Sequence, residues 1–312
     1  MVLTNFPDGV SSFGVPLIGS GAIPIASRNF FVQSTTGSNG NDGLSPESPF
    51  ATLAYAITKC VTSKGDNIIL LPGHVETVSS AGLVTFASKA GINVIGVGVG
   101  SLRPTINFTA TAATMLLNAA NLYFENILFT GGVDAVVTAL VVSAADCWLN
   151  NCEYRDVTGQ CTAFCTTTAA ADRFRVTNFT YNGAAAAGTA AGFAIVGGDG
   201  ITFNGVYADG NFSVGFIDIR TTATTNLRVQ NLIARTRNAA DVIGVDTITG
   251  STGTIGPNVY MTLADNAANF AAAFSGATFV YHNPVSIVNL AGELGGIDTT
   301  AATGFKTMST NA

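Results

Sequence analysis

Short apolar stretches alternate with polar turns along this chain, and many of the stretches end at an asparagine. Residues 122–126 (LYFEN) and 227–231 (LRVQN) show the pattern. Seven asparagines follow one another at intervals of 25, 27, 26, 27, 27 and 25 residues: Asn126, Asn151, Asn178, Asn204, Asn231, Asn258 and Asn283. A repeat of this length, made of strand-like pieces without a helical period, indicates stacked coils rather than a closed globule.

A second strand-like stretch precedes each asparagine by about ten residues, as in residues 139–143 (ALVVS) and 216–219 (FIDI). Each repeat has room for about three strands of ordinary length and their turns. The pattern therefore predicts an all-β solenoid with coils of about 26 residues.

The repeated asparagines allow two interpretations. In register, the side-chain amides of Asn126, Asn151, Asn178, Asn204 and Asn231 would bond to the coils above and below them, which is a structural stack. The alternative is a row of exposed asparagines that binds sugar. Apolar residues just before them are expected to fill the interior: Phe124, Leu149, Val176 and Val229 two positions before, and Phe203 one position before. The shift at Phe203 suggests that the coils differ in turn length.

Polar turn residues lie five positions before the asparagines. Arg173 falls between Asp146 and Asp199 in this row, so neighbouring coils would neutralise one another's charges. Exposed ion pairs of this kind contribute little stability, and the alternative is that the three form a binding feature.

Composition narrows the classes of function. Charged residues make up 10% of the chain and its net charge is −6, which does not suit a nucleic-acid partner. The longest charge-free stretches lack the apolar density of a membrane span. No basic-then-apolar leader opens the sequence, so we expect synthesis in a cytoplasm.

The cysteines do not form a recognisable metal motif. There are five cysteines and two histidines, and no Cys-x-x-Cys pair occurs. Cys161 and Cys165 leave a metal hypothesis open, but we interpret the cysteines as small buried hydrophobes. No cofactor and no metal are therefore predicted.

Residues 1–28 break the repeat and mix Gly, Pro and Ser with large apolar side chains. A disordered linker would contain fewer apolar residues. We predict an extended arm that binds a partner protein through Phe6, Phe13, Val15, Leu17, Ile18 and Ile23. The alternative is that the segment folds back along its own body.

Residues 40–78 carry a family resemblance. NDGLSPESPFATLAYAI followed by GDNIILLPGHVETV resembles the N-terminal cap and first coil of right-handed parallel β-helix proteins of the pectate-lyase-like superfamily. The resemblance implies a single right-handed parallel β-helix whose open end is plugged by a short helix, here within residues 52–61. The expected organisation is an arm at 1–28, a cap at 29–66, a β-helix at 67–290 and a C-terminal cap or tail at 291–312.

The opening TNFPDGVSSFGVPLIGSG resembles virion proteins predicted for tailed bacteriophages. That resemblance implies a virion location after assembly in the bacterial cytoplasm. It also implies the major capsid protein or another virion protein as partner, and a homotrimer as the oligomer. No nucleic acid or membrane is expected as a partner.

Enzymatic activity depends on the acidic residues. The superfamily includes lyases, which use calcium-binding acidic clusters and a basic residue, and hydrolases, which use paired carboxylates. The best group is Glu153, Arg155 and Asp156, with Asp209 at the corresponding turn position two coils away. Two coils separate Asp156 from Asp209 by about 10 Å, which is at or beyond the glycosidase range. The sequence therefore predicts no catalytic residue and no enzyme.

The function that these observations favour is a non-enzymatic structural virion protein, a capsid decoration or cement protein. The alternative is a tailspike or fibre-like receptor-binding protein, with or without cleavage of host polysaccharide. Only one coil, with Trp148 and Tyr154, is rich enough in aromatic residues to offer a sugar-binding surface.

Overall fold

The chain forms an all-β, right-handed parallel β-helix, which confirms the predicted fold class. The computed structural model describes residues 11–12, 15–16, 27–156, 161–184, 189–237, 242–246, 248–263, 272–274, 279–282 and 285–288. Within them no helix is long and apolar enough to cross a membrane.

Each coil supplies three parallel strands, numbered along the chain. The first strands are β3 (Asn29–Val32), β4 (Asn67–Leu70), β7 (Asn93–Gly96), β10 (Tyr123–Glu125), β13 (Trp148–Asn150), β22 (Gly253–Ile255) and β25 (Phe279–Tyr281). The second strands are β5 (Val75–Val78), β8 (Thr105–Phe108), β11 (Leu128–Gly131), β14 (Glu153–Asp156), β23 (Val259–Leu263) and β26 (Val285–Val288). Three longer strands serve as both first and second: β16 (Arg175–Asn182), β18 (Thr202–Gly210) and β20 (Leu227–Thr236).

The third strands form a separate eight-stranded parallel sheet. They are β6 (Ala81–Thr85), β9 (Thr114–Leu117), β12 (Thr138–Val142), β15 (Ala163–Thr167), β17 (Thr189–Ile195), β19 (Phe212–Ile219), β21 (Val242–Asp246) and β24 (Ala272–Phe274). The first and second strands together form one 16-stranded sheet. Near the N-terminus, β1 (Ser11–Ser12) and β2 (Val15–Pro16) make a separate antiparallel pair.

Where side chains are described, alternate residues of the coil strands point inward and stack as a continuous apolar core from Phe30 to Met261. Phe193 is central to it, with ring centroids 5.0 Å from Phe203, 5.5 Å from Phe179 and 5.6 Å from Phe164. Phe203 lies in register with Val176 and Val229. The shift read from the sequence therefore belongs to Asn204 and not to the core residue.

One corner, between the third and first strands, carries a left-handed residue in six successive coils. These residues and their φ angles are Gly91 (72°), Asn121 (58°), Asp146 (59°), Arg173 (55°), Gly200 (71°) and Asn226 (54°). The backbone N–H of Asp146 donates to the Asp172 carbonyl at 2.8 Å, and that of Arg173 to the Asp199 carbonyl at 2.7 Å. Each corner is thus bonded to the next coil.

The repeated asparagines occupy the other corner, between the first and second strands. Asn126, Asn151, Asn178, Asn231 and Asn258 are left-handed there, with φ between 49° and 57°. In the intervening coil Gly205 takes the left-handed position, at φ 68°, and Asn204 lies one residue earlier, in register with Thr177 and Gln230.

Amide hydrogen bonds link some of these asparagines to neighbouring coils. The Asn258 amide donates to Asn231 Oδ1 at 2.9 Å, and the Asn231 amide donates to Asn204 Oδ1 at 2.8 Å. Asn178 donates to Asn150 Oδ1 at 3.3 Å, and Asn126 donates to backbone carbonyls of the preceding coil. The side-chain ladder is therefore offset where Gly205 replaces an asparagine.

A short helix, α1 (Leu53–Lys59), closes the N-terminal end of the core. Thr52 caps it by accepting the Tyr55 N–H, and Leu53, Ala56 and Ile57 are buried beneath it. The buried Glu76 carboxylate accepts the Leu53 N–H at 2.8 Å, because the first N–H groups of a helix have no partner within it.

The five cysteines are free and buried. Burial raises the pKa of Cys60, Cys147, Cys152 and Cys161 to about 12. At neutral pH these thiols carry almost no thiolate, so they are poor nucleophiles.

We expect Asn231→Ala to destabilise the protein more than Asn231→Gly does. Both variants lose the amide bonds to the neighbouring coils, but only alanine must hold a side chain in a left-handed conformation, which costs about 1–2 kcal/mol. Urea unfolding of the two variants measures the difference. Equal free energies of unfolding would mean that the left-handed corner is not a stability determinant.

Candidate functional site

The candidate site is the outer face of the second strands, which we call the arginine face. Two outward rows cross it, each with one residue per coil. One row contains Thr105, Leu128, Glu153, Thr180, Tyr207, Ile233 and Tyr260. The other contains Asn107, Thr130, Arg155, Asn182, Asp209, Arg235 and Thr262. Arg103 and Arg237 flank these rows and complete the face.

Glu153 is held by cations on both sides. Arg103 NH1 lies 3.1 Å from Glu153 Oε2, and Arg155 NH2 lies 2.6 Å from Glu153 Oε1. The Asn182 amide also donates to Oε1 at 2.9 Å. Sequence reasoning missed Arg103, which is fifty residues from Glu153; its position two residues before Thr105, on the same side of an extended chain, was the available signal.

Asp209 is bound by arginines of the following coil. Arg237 NH2 lies 2.8 Å from Asp209 Oδ2, and Arg235 NH1 lies 3.9 Å from the same atom. Asp209 is in register with Asn182 and hence with Arg155. The sequence predicts that Asp156 and Asp209 occupy the same position in their coils, but they are one residue out of register. The prediction counts five residues from Asn204, and Asn204 lies one residue before the corner of its coil.

Asp156 turns away from the arginine face. Its Oδ1 accepts the Tyr154 hydroxyl, and its Oδ2 accepts the backbone N–H groups of Cys161 at 3.3 Å and Ala184 at 3.4 Å. Burial raises the pKa of the Asp156 carboxyl above its ordinary value. Asp156 therefore forms hydrogen bonds to the backbone of turns in two adjacent coils.

Tyr154 offers no surface to a sugar, contrary to the sequence-based prediction. It is fully buried, with its ring centroid 4.7 Å from that of Phe164 and 5.0 Å from that of Tyr181. Its position between Glu153 and Arg155, which both point outward, requires it to point inward.

Trp148 instead pairs with Tyr123, around the asparagine corner on the outer face of the first strands. The two ring centroids are 5.0 Å apart, and Arg175 lies over the indole at 5.9 Å. The indole N–H donates to Thr177 Oγ1 at 2.6 Å, and the Asn150 amide donates to the Tyr123 hydroxyl at 3.0 Å. Burial raises the pKa of Tyr123 to about 12. The indole N–H of Trp148 and the hydroxyl of Tyr123 are therefore both hydrogen-bonded to other side chains of the protein.

Exposed apolar side chains lie beside the charged row of the arginine face. Tyr207, Ile233 and Tyr260 are neighbours on three successive coils, with exposed fractions of 44%, 49% and 40%. Sequence reasoning missed this row, although its spacing repeats the coil period. Ile233 lies between Tyr207 and Tyr260 in this row, and Arg235 lies two residues beyond Ile233 on the same side of the sheet.

The predicted ion row resolves into one ion pair and a separate hydrogen-bonded group. Arg173 binds Asp146 through two bonds of 2.7 Å, whereas Asp199 accepts bonds from Thr225 and Asn226. The bonds to Arg173 hold the pKa of Asp146 below its ordinary value. This corner lies away from the arginine face.

Most of the predicted partner-binding residues cannot be placed. Phe6, Phe13, Leu17, Ile18 and Ile23 lie outside the described residues. Val15 belongs to β2, but its side chain is not described. Partner binding by the arm stays a prediction.

The acidic residues do not fit the calcium cluster that the superfamily resemblance implies. Among the described residues, no group of three or more histidine, cysteine, aspartate or glutamate side chains is placed to hold a metal ion. Glu153 and Asp209 are each already bound by arginines.

Comparison with solved structures identifies the fold. No protein-family model matches the sequence, and no curated protein is similar to it in sequence. A rhamnogalacturonan lyase superposes with a TM-score of 0.51 at 12% identity, covering 88% of this chain and 90% of its own. A pectate lyase superposes with a TM-score of 0.54 at 15% identity, covering 89% of this chain and 82% of its own.

These likenesses overturn one prediction from the sequence. The prediction that the chain is not an enzyme is wrong as it stands, because the solved structures that share its fold are polysaccharide-degrading enzymes. That prediction depended on the scarcity of acidic residues, both as the carboxylate pairs of hydrolases and as the calcium-binding clusters of lyases. The phage resemblance is not tested by these likenesses.

We expect Asp156→Asn to change how stability depends on pH. Because the folded protein raises the pKa of Asp156, it holds this proton more tightly than the unfolded chain does. The stability of the parent relative to Asp156→Asn should therefore fall as pH rises from about 4. Denaturant unfolding between pH 4 and pH 7 measures this difference.

Asp146→Asn is the matched control with the opposite sign. Since Arg173 lowers the pKa of Asp146, the parent should lose stability relative to this variant as pH falls below about 4. A pH-independent difference for Asp156→Asn, or one that grows in the parent's favour with rising pH, would contradict the burial account.

Proposed function

We propose that this chain binds an acidic polysaccharide along the arginine face and cleaves it by β-elimination. The observation that carries the proposal is the outward row in which Arg155 and Arg235 flank Asn182 and Asp209. The fold shared with two polysaccharide lyases supports it.

Charge favours an anionic ligand at this face. Arg103, Arg155, Arg235 and Arg237 lie around only two outward carboxylates, those of Glu153 and Asp209. The chain as a whole has a net charge of −6, so an anionic polymer is repelled elsewhere and attracted here. Arg155 and Arg235 are about half exposed, with side-chain fractions of 50% and 48%, so their guanidinium groups are accessible.

The spacing of the face suits an extended polymer. Neighbouring strands lie about 4.8 Å apart, so the three coil steps from Arg155 to Arg235 span about 14 Å along the axis. Tyr207 and Tyr260 present rings on the adjacent row, where the apolar face of a sugar ring can pack. A chain with repeated carboxylates can thus contact both rows at once.

Elimination suits these groups better than hydrolysis does. Hydrolysis requires two carboxyl groups that are available to the glycosidic bond, and Glu153 and Asp209 are held by arginines. A guanidinium bound to a uronate carboxylate makes the proton on the adjacent carbon more acidic. A base removes that proton, its C–H electrons form a carbon–carbon double bond, the glycosidic C–O bond breaks, and the leaving oxygen takes a proton from water.

We assign the carboxylate-binding role to Arg155 and Arg235, and the proton-acceptor role to the phenolate form of Tyr207, which becomes the neutral phenol as it takes the proton. The Tyr207 hydroxyl belongs to an exposed side chain on the coil between those of Asn182 and Arg235. Asp209 lies two residues further along the same strand, on the same side of the sheet as Tyr207.

The first test is cleavage of polygalacturonate and alginate. Ultraviolet absorbance detects the double bond that elimination makes, and a reducing-end assay detects either reaction. Arg155→Ala and Arg235→Ala should each lower kcat/KM by about 10- to 100-fold, the loss of one charged hydrogen bond. Arg173→Ala, which removes an equally exposed arginine at a distant corner, should leave activity unchanged.

Reducing ends without ultraviolet absorbance would contradict elimination. Equal losses in Arg173→Ala would contradict the assignment of the face. If the protein neither binds nor cleaves any acidic polysaccharide, the proposed function is wrong.

Tyr207→Phe separates binding from chemistry. If Tyr207 accepts the proton, this variant loses turnover while KM and polymer binding stay near the parent values. Tyr260→Phe is the control on the same row and should keep its turnover. A Tyr207→Phe enzyme with the parent kcat would exclude the assigned role.

The place of this activity is a further proposal. Of the two functions predicted from the sequence, the proposed activity agrees with the alternative, a tailspike or fibre-like receptor-binding protein with or without cleavage of host polysaccharide. The virion location and the homotrimer stay predictions. Quantitative mass spectrometry of purified virions tests the location, since a tail protein is present at a few per cent of the major capsid protein and an unrelated enzyme is absent.

A further inference from the structure

One coil replaces the asparagine corner with a bulge. Between β7 and β8 the chain makes an eight-residue excursion, residues 97–104, where later coils turn at a single residue. Gly98 and Gly100 adopt φ angles of 120° and 59°, and a short 3₁₀ helix (Gly100–Leu102) follows. The Leu102 carbonyl accepts the Gly73 N–H at 2.7 Å, which fixes the bulge to the coil below.

The bulge exposes aliphatic side chains. The exposed fractions are 80% for Val99, 55% for Leu102 and 43% for Val97, and Val75 on the coil below is 44% exposed. Leu102 lies directly over Gly73, where an added Cβ atom would be 3.8 Å from Leu102 Cδ2. We call these four side chains the aliphatic patch. Clustered exposed apolar side chains mark interaction surfaces.

We propose that the aliphatic patch is the docking surface for the N-terminal segment of the same chain, residues 13–25. The continuous described body begins at Ser27 and enters the stack through β3. Beyond the other end of β3, Ser34 Oγ accepts the Val75 N–H at 3.0 Å. Ser34 is seven residues beyond Ser27, which is up to about 23 Å along an extended chain, so the Val75 end of the patch lies within that distance of the point where the segment joins the body.

The composition of the segment matches the patch. Between Asp8 and Arg28 there is no charged residue, and the segment contains Leu17, Ile18, Ile23 and Ile25. Its thirteen residues span up to about 45 Å when extended, so they can turn back and cross the patch.

The tether favours the same chain over a second copy. A covalently attached segment reaches an effective concentration in the millimolar range, far above that of free copies at the micromolar concentrations of a dilute solution. Burial of large aliphatic side chains against the patch then supplies the binding free energy.

Cysteine cross-linking in the full chain tests the proposal. The double variant Val99→Cys with Ile23→Cys is treated with a short bis-maleimide. The control is Val137→Cys with Ile23→Cys, because Val137 is an aliphatic residue of comparable exposure, 59%, on a different turn. The native cysteines do not compete, since they are buried.

We expect an intramolecular product to form about tenfold or more faster in the Val99 pair than in the Val137 pair. Equal rates would overturn the proposal, and a dimer as the main product would assign the patch to a second copy instead.

A second measurement does not depend on cross-linking. Val99→Asp combined with Leu102→Asp should speed tryptic release of the arm at Arg28 several-fold, while the matched variant Val137→Asp should not. An unchanged rate in the double variant would overturn the proposal.

Discussion

The architecture depends on one backbone interaction, the hydrogen bond from the N–H of a left-handed corner residue to a carbonyl of the next coil. It recurs at successive corners, from Gly91 to Gly200. Because these bonds fix the rotation of each coil relative to the next, inward residues stack into one core and outward residues stack into rows. The arginine face and the row of Tyr207 and Ile233 both follow from that register.

The corner conformation matters more than the asparagine side chain. Where Asn204 falls one residue early, Gly205 adopts the left-handed conformation and the strands on both sides keep their register. Asparagine is frequent at this corner because it tolerates left-handed angles and its amide can bond to the adjacent coil. Glycine adopts left-handed angles but has no side-chain amide that could bond to the adjacent coil.

The period of the sequence was sufficient to predict the fold, since coil length and strand length are local properties. The site was harder to predict, because it depends on register between distant residues. Counting from Asn204 misplaced Asp209 by one position, and the contact between Arg103 and Glu153 crosses two coil steps. The inward direction of Tyr154 could have been predicted from strict alternation with Glu153 and Arg155.

The prediction of a non-enzymatic chain arose from counting acidic residues, as carboxylate pairs for hydrolysis and as calcium-binding clusters for elimination. A count of acidic residues does not detect a face that consists of guanidinium and phenol groups. Four of the nine arginines of this chain lie on this one face. The composition of the whole chain, with its negative net charge, conceals this local excess.

The most direct measurement is a crystal structure of the Tyr207→Phe protein with an acidic oligosaccharide, such as a hexagalacturonate. The account predicts sugar carboxylates within hydrogen-bond distance of Arg155 and Arg235, and a sugar ring against Phe at position 207. Three results would contradict it: an oligosaccharide bound beside Trp148 on the first strands, an oligosaccharide bound on the face of the third strands, or no binding at all.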